Sequence, residues 1–142
     1  MSLALLAVLA ACGTETSGTR SGGASTPAPV TGIRWNVGSV TVDGERTEFP
    51  DGPYFTLDAQ GGITGSSGCN EFRGTATVSG SAITFGVLDS TKKMCPDSWA
   101  KLSDALFTVL EGRATYRGDG RTLTLVSENG ASLDATAQSS GT

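Results

Sequence analysis

Residues 97–111 read DSWAKLSDALFTVLE, and this stretch decides the fold because it breaks the two-residue alternation found elsewhere in the chain. Its apolar residues recur every three or four positions, at Trp99, Leu102, Leu106, Val109 and Leu110. That spacing predicts an amphipathic helix, with Lys101 and Ser103 on its polar face. Pro96 suits the start of a helix and Gly112 its end, so we predict one helix over residues 97–111.

Outside this segment, short runs of alternating apolar and polar residues predict strands separated by turns. Asp119-Gly120 and Asn129-Gly130 are strong turn signals, since these residues tolerate a positive φ. About eight strands are expected. The alternation at 33–37 continues at 40–42, Ile63 and Thr64 lead into a glycine turn, and the other runs are 54–57, 75–78, 82–85, 114–117, 122–126 and 132–136.

This arrangement predicts a mostly β fold with one α-helix. A single helix cannot cover both faces of so long a sheet, so we expect a curled antiparallel sheet or a partly open β-barrel. The amphipathic helix would then pack across one opening. The aromatic residues expected in the core are Trp35, Phe55, Phe85, Trp99, Phe107 and Tyr116.

Composition limits the functions that the chain can perform. The 142 residues suit one domain, and the net charge of −4 argues against a nucleic-acid partner. The chain contains no histidine, which excludes Ser-His-Asp and Cys-His nucleophile systems and the commonest transition-metal ligand. We therefore expect no metal and no cofactor.

The N-terminus is typical of an export signal. Residues 3–11 are apolar and end in small residues, although no basic residue precedes them. Leu9-Ala10-Ala11-Cys12 resembles a bacterial lipoprotein signal, which implies cleavage before Cys12 and a lipid on its sulfur. We therefore predict a signal peptide at residues 1–11, a lipid-anchored tether at 12–32, a folded domain at 33–137 and a disordered tail at 138–142.

Two cysteines lie within the predicted domain, Cys69 and Cys95, 26 residues apart. In an oxidising compartment they most simply form a disulfide, which would stabilise the fold by about 3–4 kcal/mol. A redox-active pair is the alternative, because Lys92 and Lys93 could lower a thiol pKa. The pair lacks Cys-x-x-Cys spacing and a neighbouring histidine, however, and two thiolates are too few for zinc.

The domain resembles the META domain family, also called HslJ-like, of bacterial envelope lipoproteins. The matching residues run from Trp35 through Phe55-Thr56-Leu57-Asp58 and the end of the helix to Leu123-Thr124-Leu125. The motif at the centre of the resemblance comprises Gly68, Cys69, Asn70, Gly74, Thr91 and Cys95. The resemblance implies a barrel around one helix, no established enzymatic activity, and a role in stress responses or envelope upkeep.

Three further patterns allow other functions. The glycine-rich residues 61–68 superficially suggest a phosphate loop, but they lack its Gly-Lys-Ser/Thr ending and favour close backbone approach instead. Asp43 and Glu45, or Glu48 and Asp51, could form a calcium site or an acid/base pair, although solvated loop charges explain them better. A cleft beside the helix could hold an acyl chain or a peptide. Asn70 is expected to hydrogen-bond its local backbone.

The function expected from the sequence is that of a monomeric, non-enzymatic, extracytoplasmic lipoprotein that binds another component of the bacterial envelope. The alternatives are a carrier of a hydrophobic ligand, and a hydrolase or protease-inhibitor module that acts through exposed loops.

Overall fold

Nine strands and one helix make up residues 29–138, the part of the chain that the computed structural model describes. The strands are β1 (Arg34–Val42), β2 (Glu45–Glu48), β3 (Tyr54–Leu57), β4 (Gly62–Ser66), β5 (Glu71–Ser79), β6 (Ala82–Ser90), β7 (Gly112–Gly118), β8 (Thr122–Ser127) and β9 (Ser132–Ala137). The helix, α1, spans Asp97–Val109 between β6 and β7. The predicted signal peptide, Cys12, most of the tether and residues 139–142 lie outside the described residues.

Eight of these strands form a closed antiparallel barrel. From β3 to β9 each strand pairs with the next, and β1 pairs with both β3 and β9 to complete the circle. Trp35, for example, lies opposite Phe55 on one side and Ala137 on the other. The predicted class, a curled antiparallel sheet or barrel with one helix, is therefore confirmed, and the barrel is closed.

The strands differ in detail from those predicted. β2 has the sequence Glu-Arg-Thr-Glu, which contains no apolar residue, and it pairs only with the second half of β1. β5 and β6 are each longer than predicted, because a register shift between Gly74 and Ala76 interrupts the alternation without ending the ladder.

Side chains fill the inside of the barrel. Inward positions alternate with outward ones along each strand, so that the burial of β8 follows a period of two. Trp35, Phe55, Phe85 and Tyr116 are buried as predicted. Trp99 and Phe107 were also predicted to lie in the core, but their side chains are only half-buried. The largest fully buried side chains are Trp35, Phe55, Leu57, Ile63, Ile83, Leu106, Leu110, Leu123, Leu125, Leu133, Val40 and Val109.

The helix α1 packs its apolar side onto this core through Leu106, Val109 and Leu110. It ends two residues before the predicted limit, and the backbone then turns at Gly112 with φ +67°. The expected polar position of Ser103 is also wrong, because this side chain is buried on the barrel side of α1.

The two ends of the barrel differ in what they carry. Because consecutive barrel strands run in opposite directions, the turn after β4, the segment with α1, and the turn after β8 all lie at one end. β1 begins and β9 finishes at the other end, where the backbone N–H of Gln138 donates to the carbonyl of Arg34 at 2.8 Å. Both described chain ends therefore emerge opposite the helix.

The packed domain begins earlier than the predicted residue 33. Val30, which was assigned to the tether, is buried, and its carbonyl accepts a hydrogen bond from the indole Nε1 of Trp35 at 3.0 Å. Gly32 also donates its N–H to the carbonyl of Leu57. Within residues 29–138, no helix has the length and apolar character needed to span a bilayer.

Candidate functional site

Five of the six residues of the predicted motif come together at the end of the barrel that carries α1, whereas Gly74 lies within β5. Two segments meet there, the β4–β5 turn at 67–70 and the β6–α1 connection at 91–96. The side-chain oxygen Oδ1 of Asn70 accepts hydrogen bonds from Thr91 Oγ1 and from the backbone N–H of Lys93, both at 2.8 Å. Its Nδ2 lies 3.3 Å from Cys95 Sγ. Asn70 therefore joins the two segments.

These bonds correct the expectation that the Asn70 side chain would bond to its local backbone. Its partners lie 21 to 25 residues further along the chain. The local bonds are made by the backbone of Asn70, whose carbonyl accepts from the N–H of Ser67 at 2.8 Å.

Cys69 and Cys95 join the same two segments covalently. The structure pairs their sulfur atoms, and their Cα atoms are 6.0 Å apart, within the usual range for a disulfide. Lys93, one of the cations considered for thiol activation, lies instead 3.3 Å from the carboxylate of Glu71. The two cysteines thus have the geometry of the disulfide expected from the sequence, and their surroundings fit a structural link between the two segments.

Two buried serines attach the helix to this site, and sequence reasoning missed both. The hydroxyl of Ser103 on α1 donates to the hydroxyl of Ser67 at 2.6 Å, and Ser67 in turn lies 3.2 Å from the carbonyl of Asn70. Buried polar groups need such partners. A serine within an amphipathic helix gives no signal that distinguishes this role from simple exposure to solvent.

Glycines in and beside the motif permit close contacts. Gly68 has φ +104°, and an added Cβ there would overlap the indole ring of Trp99. At Gly74 an added Cβ would lie 2.6 Å from the backbone oxygen of Val87, and at Gly65 it would lie 2.7 Å from the Phe72 ring. The glycine-rich segment therefore forms β4 and a tight turn, as its lack of phosphate-loop features predicted.

The acidic residues considered from the sequence do not form a joint centre. Glu48 pairs with Arg46 on the outer face of β2. Asp43 and Glu45 line a groove of about 540 Å³ between the β1–β2 hairpin and the outer face of α1, together with Asp104. Among the described residues no three acidic or cysteine side chains lie close enough to hold a metal ion.

Shifted pKa values are found at other places in the barrel. Backbone N–H groups of Arg121 and Thr122 lower the pKa of Asp119, in the β7–β8 turn at the opposite end. Loss of solvent around the phenol raises the pKa of Tyr116. Both shifts follow from local structure and not from a catalytic arrangement.

A surface groove lies beside the site, between the second half of β6 and the end of α1. Its volume is about 620 Å³, and apolar side chains of both elements line it, including Val87, Leu88, Phe107 and Leu110. Phe107 is held there by an edge-to-face contact with Phe72, with ring centroids 5.2 Å apart. Buried side chains occupy the barrel interior, and this groove lies on its outer surface.

Comparison with known families identifies the domain. A family model described as the META domain matches residues 28–140. The chain belongs to the META domain family. The matched region contains every residue of the motif described above, so in this META domain the motif acts as a structural staple between two loops. No curated protein gives a significant match to the chain.

Solved structures resemble this META domain in fold. A protein from Burkholderia xenovorans solved by NMR is 21% identical, with a TM-score of 0.64, covering 78% of this chain and 84% of its own. A second NMR structure is 23% identical, with a TM-score of 0.56, covering 73% and 87%. A DUF4847 family protein from Bacteroides vulgatus is 18% identical, with a TM-score of 0.52, covering 75% and 93%. At these identities the likeness concerns the fold alone.

Proposed function

We propose that this META domain protein is an extracytoplasmic lipoprotein that supports the cell envelope by binding another envelope component, without catalysis of its own. The observation that carries the proposal is how the polar motif residues are used. The side chains of Asn70 and Thr91 form hydrogen bonds that join two loops, and Cys69 bonds to Cys95. Groups engaged in this way shape a surface and do not act on a substrate.

The packing of the barrel also supports a binding role over a carrier role. A carrier that encloses an acyl chain needs an empty lumen, whereas Trp35, Phe55 and Leu125 fill this one and are fully buried. Two of the outer grooves lie next to α1.

The positions of the chain ends fit an anchored protein. A tether leading from Cys12 would join the barrel at Val30, opposite α1. The helix and its two flanking grooves would then face away from the membrane, toward possible partners.

Photocrosslinking in intact cells tests the binding role, and fractionation tests the anchor. Wild-type protein should sediment with membranes and yield a crosslink from the α1 end to a defined envelope component. Cys12→Ala should release the protein from the membrane fraction or block its processing. A wild type that is already free of the membrane, or a surface that yields no specific crosslink, would contradict the corresponding part of the proposal.

A further inference from the structure

The second half of β6 has a neighbouring strand on one side only. β7 pairs with residues 82–85 of β6, and Phe85 lies opposite Gly112, where β7 begins. The chain before Gly112 forms α1 and not a strand. Among the described elements, residues 86–90 therefore have β5 as their only neighbouring strand, with Leu88, Asp89 and Ser90 paired to it and Gly86 and Val87 at its register shift.

Backbone groups on this edge point toward the open side. The N–H of Thr91 donates to the carbonyl of Glu71, at the start of β5. In an antiparallel ladder successive residues direct their backbone groups to alternate sides. Counting back from Thr91, the N–H and C=O groups of Leu88 and Ser90 face away from β5, into the groove between β6 and α1.

This edge lacks two of the features by which proteins commonly protect one, and its register shift is confined to Gly86 and Val87. Residues 86–90 read Gly-Val-Leu-Asp-Ser and contain neither proline nor lysine. Val87 is 87% exposed although it is a large apolar residue. Opposite the edge, Phe107 and Leu110 form an apolar wall. An exposed sheet edge beside an apolar wall is an arrangement that binds extended peptides by strand addition.

Two charges mark the ends of the groove. Lys92 lines it where β6 ends, and Glu111 lines it where β7 begins. Neither takes part in an ion pair among residues 29–138. A strand added antiparallel to β6 lies on the line of β7, with its N-terminus beside Lys92 and its C-terminus toward Glu111. The charges therefore favour an acidic residue at the first end and a basic residue at the second.

We infer that the free edge of β6 binds an extended segment of a partner protein as an added antiparallel strand. The segment is about five residues, or about 17 Å, long, with an acidic N-terminal end, apolar residues toward α1 and a basic C-terminal end. This inference rests on the proposed binding function and names the kind of partner.

A capped six-residue peptide of alternating valine and threonine, with aspartate first and lysine last, tests the site on the full chain carrying Cys12→Ala. Binding is followed by NMR. We expect a Kd of about 0.1–1 mM, because a short flexible segment must become ordered. Amide shifts should centre on residues 86–90, and amide hydrogen exchange at Leu88 and Ser90 should slow.

The controls separate strand addition from nonspecific adhesion. N-methylation of the peptide amides that face β6, or exchange of its two charged ends, should weaken binding by at least about tenfold. Val87→Lys should weaken it similarly. Val126→Lys is the matched control, because Val126 is also exposed but lies on a strand paired on both sides, and it should leave binding unchanged.

Several results would overturn the inference. They are equal binding of the N-methylated peptide, shifts centred elsewhere, no binding at about 5 mM, or a dimer in sedimentation that Val87→Lys abolishes. The last would assign the edge to a second copy of the chain. In cells, an envelope partner that crosslinks from other positions but not from position 87 would overturn this site and leave the proposed binding function standing.

Discussion

Replacement of Asn70 by alanine is the most direct test of the loop staple. The alanine variant loses two short hydrogen bonds, from Thr91 Oγ1 and from the N–H of Lys93, and a weaker contact with Cys95 Sγ. A neutral hydrogen bond contributes about 0.5–1.5 kcal/mol, so the two short bonds together predict a loss of about 1–3 kcal/mol in the free energy of unfolding.

The assay is urea denaturation of the oxidised full chain carrying Cys12→Ala, so that the disulfide links the same two segments in every variant. Asn70→Asp keeps an accepting oxygen for both short bonds and replaces the amide donor with a carboxylate, so its destabilisation should be smaller than that of Asn70→Ala. A double-mutant cycle with Thr91→Val should give a coupling energy of at least about 0.5 kcal/mol, because the two residues share one bond.

Two results would refute this reasoning. One is an Asn70→Ala variant within about 0.5 kcal/mol of wild type, the effect expected of an ordinary surface substitution. The other is additivity with Thr91→Val, which would mean that the bond between the two side chains contributes nothing.

Three further predictions concern other parts of the barrel. Leu106→Ala should lower the free energy of unfolding by about 2–5 kcal/mol, because it leaves a cavity at a fully buried position. Lys101→Ala on the exposed face should change it by less than about 0.5 kcal/mol. Equal small effects would mean that α1 does not pack on the core. Gly68→Ala should lower the free energy of unfolding by about 1–3 kcal/mol, because the added methyl group overlaps the indole ring of Trp99. The loss should exceed that of Gly120→Ala, since Gly120 has a similar positive φ but open space around it. Equal losses would show that the positive φ alone accounts for the destabilisation. The lowered pKa of Asp119 adds stability that is complete above its unfolded-state value and is lost as the pH falls through its folded-state value. The stability difference between wild type and D119A should therefore shrink as the pH falls below about 5, and a constant difference would contradict this.

The helix and most strands were predictable because side-chain periodicity reports burial directly. The stripe through Leu106 and Val109 requires a helix, and the alternation in β8 requires a strand. β2 could not be found in this way, since its four polar residues owe their conformation to pairing with β1. The free half of β6 was missed because Val87 and Leu88 are adjacent, and the register shift there breaks the alternation on which the prediction relied.

The site was predictable in its covalent part only. Two cysteines within one predicted domain suggest each other as partners, but nothing local identifies Thr91 and Lys93 as the partners of Asn70. Ser67 and Ser103 show the same limit, because each is a buried polar residue that is satisfied by the other across 36 residues of chain. Such pairs arise from tertiary structure and leave no periodic pattern in the sequence.

Closure of the barrel by its first and last strands has a consequence for biosynthesis. β1 is made early, yet its pairing edge stays vacant until the last strand, β9, has been synthesised. Contacts between such distant segments also slow folding, since a long loop must close before they form. A chain truncated before Ser132 would leave open edges on both β1 and β8, and nascent or clipped forms of this protein should therefore be the ones that aggregate.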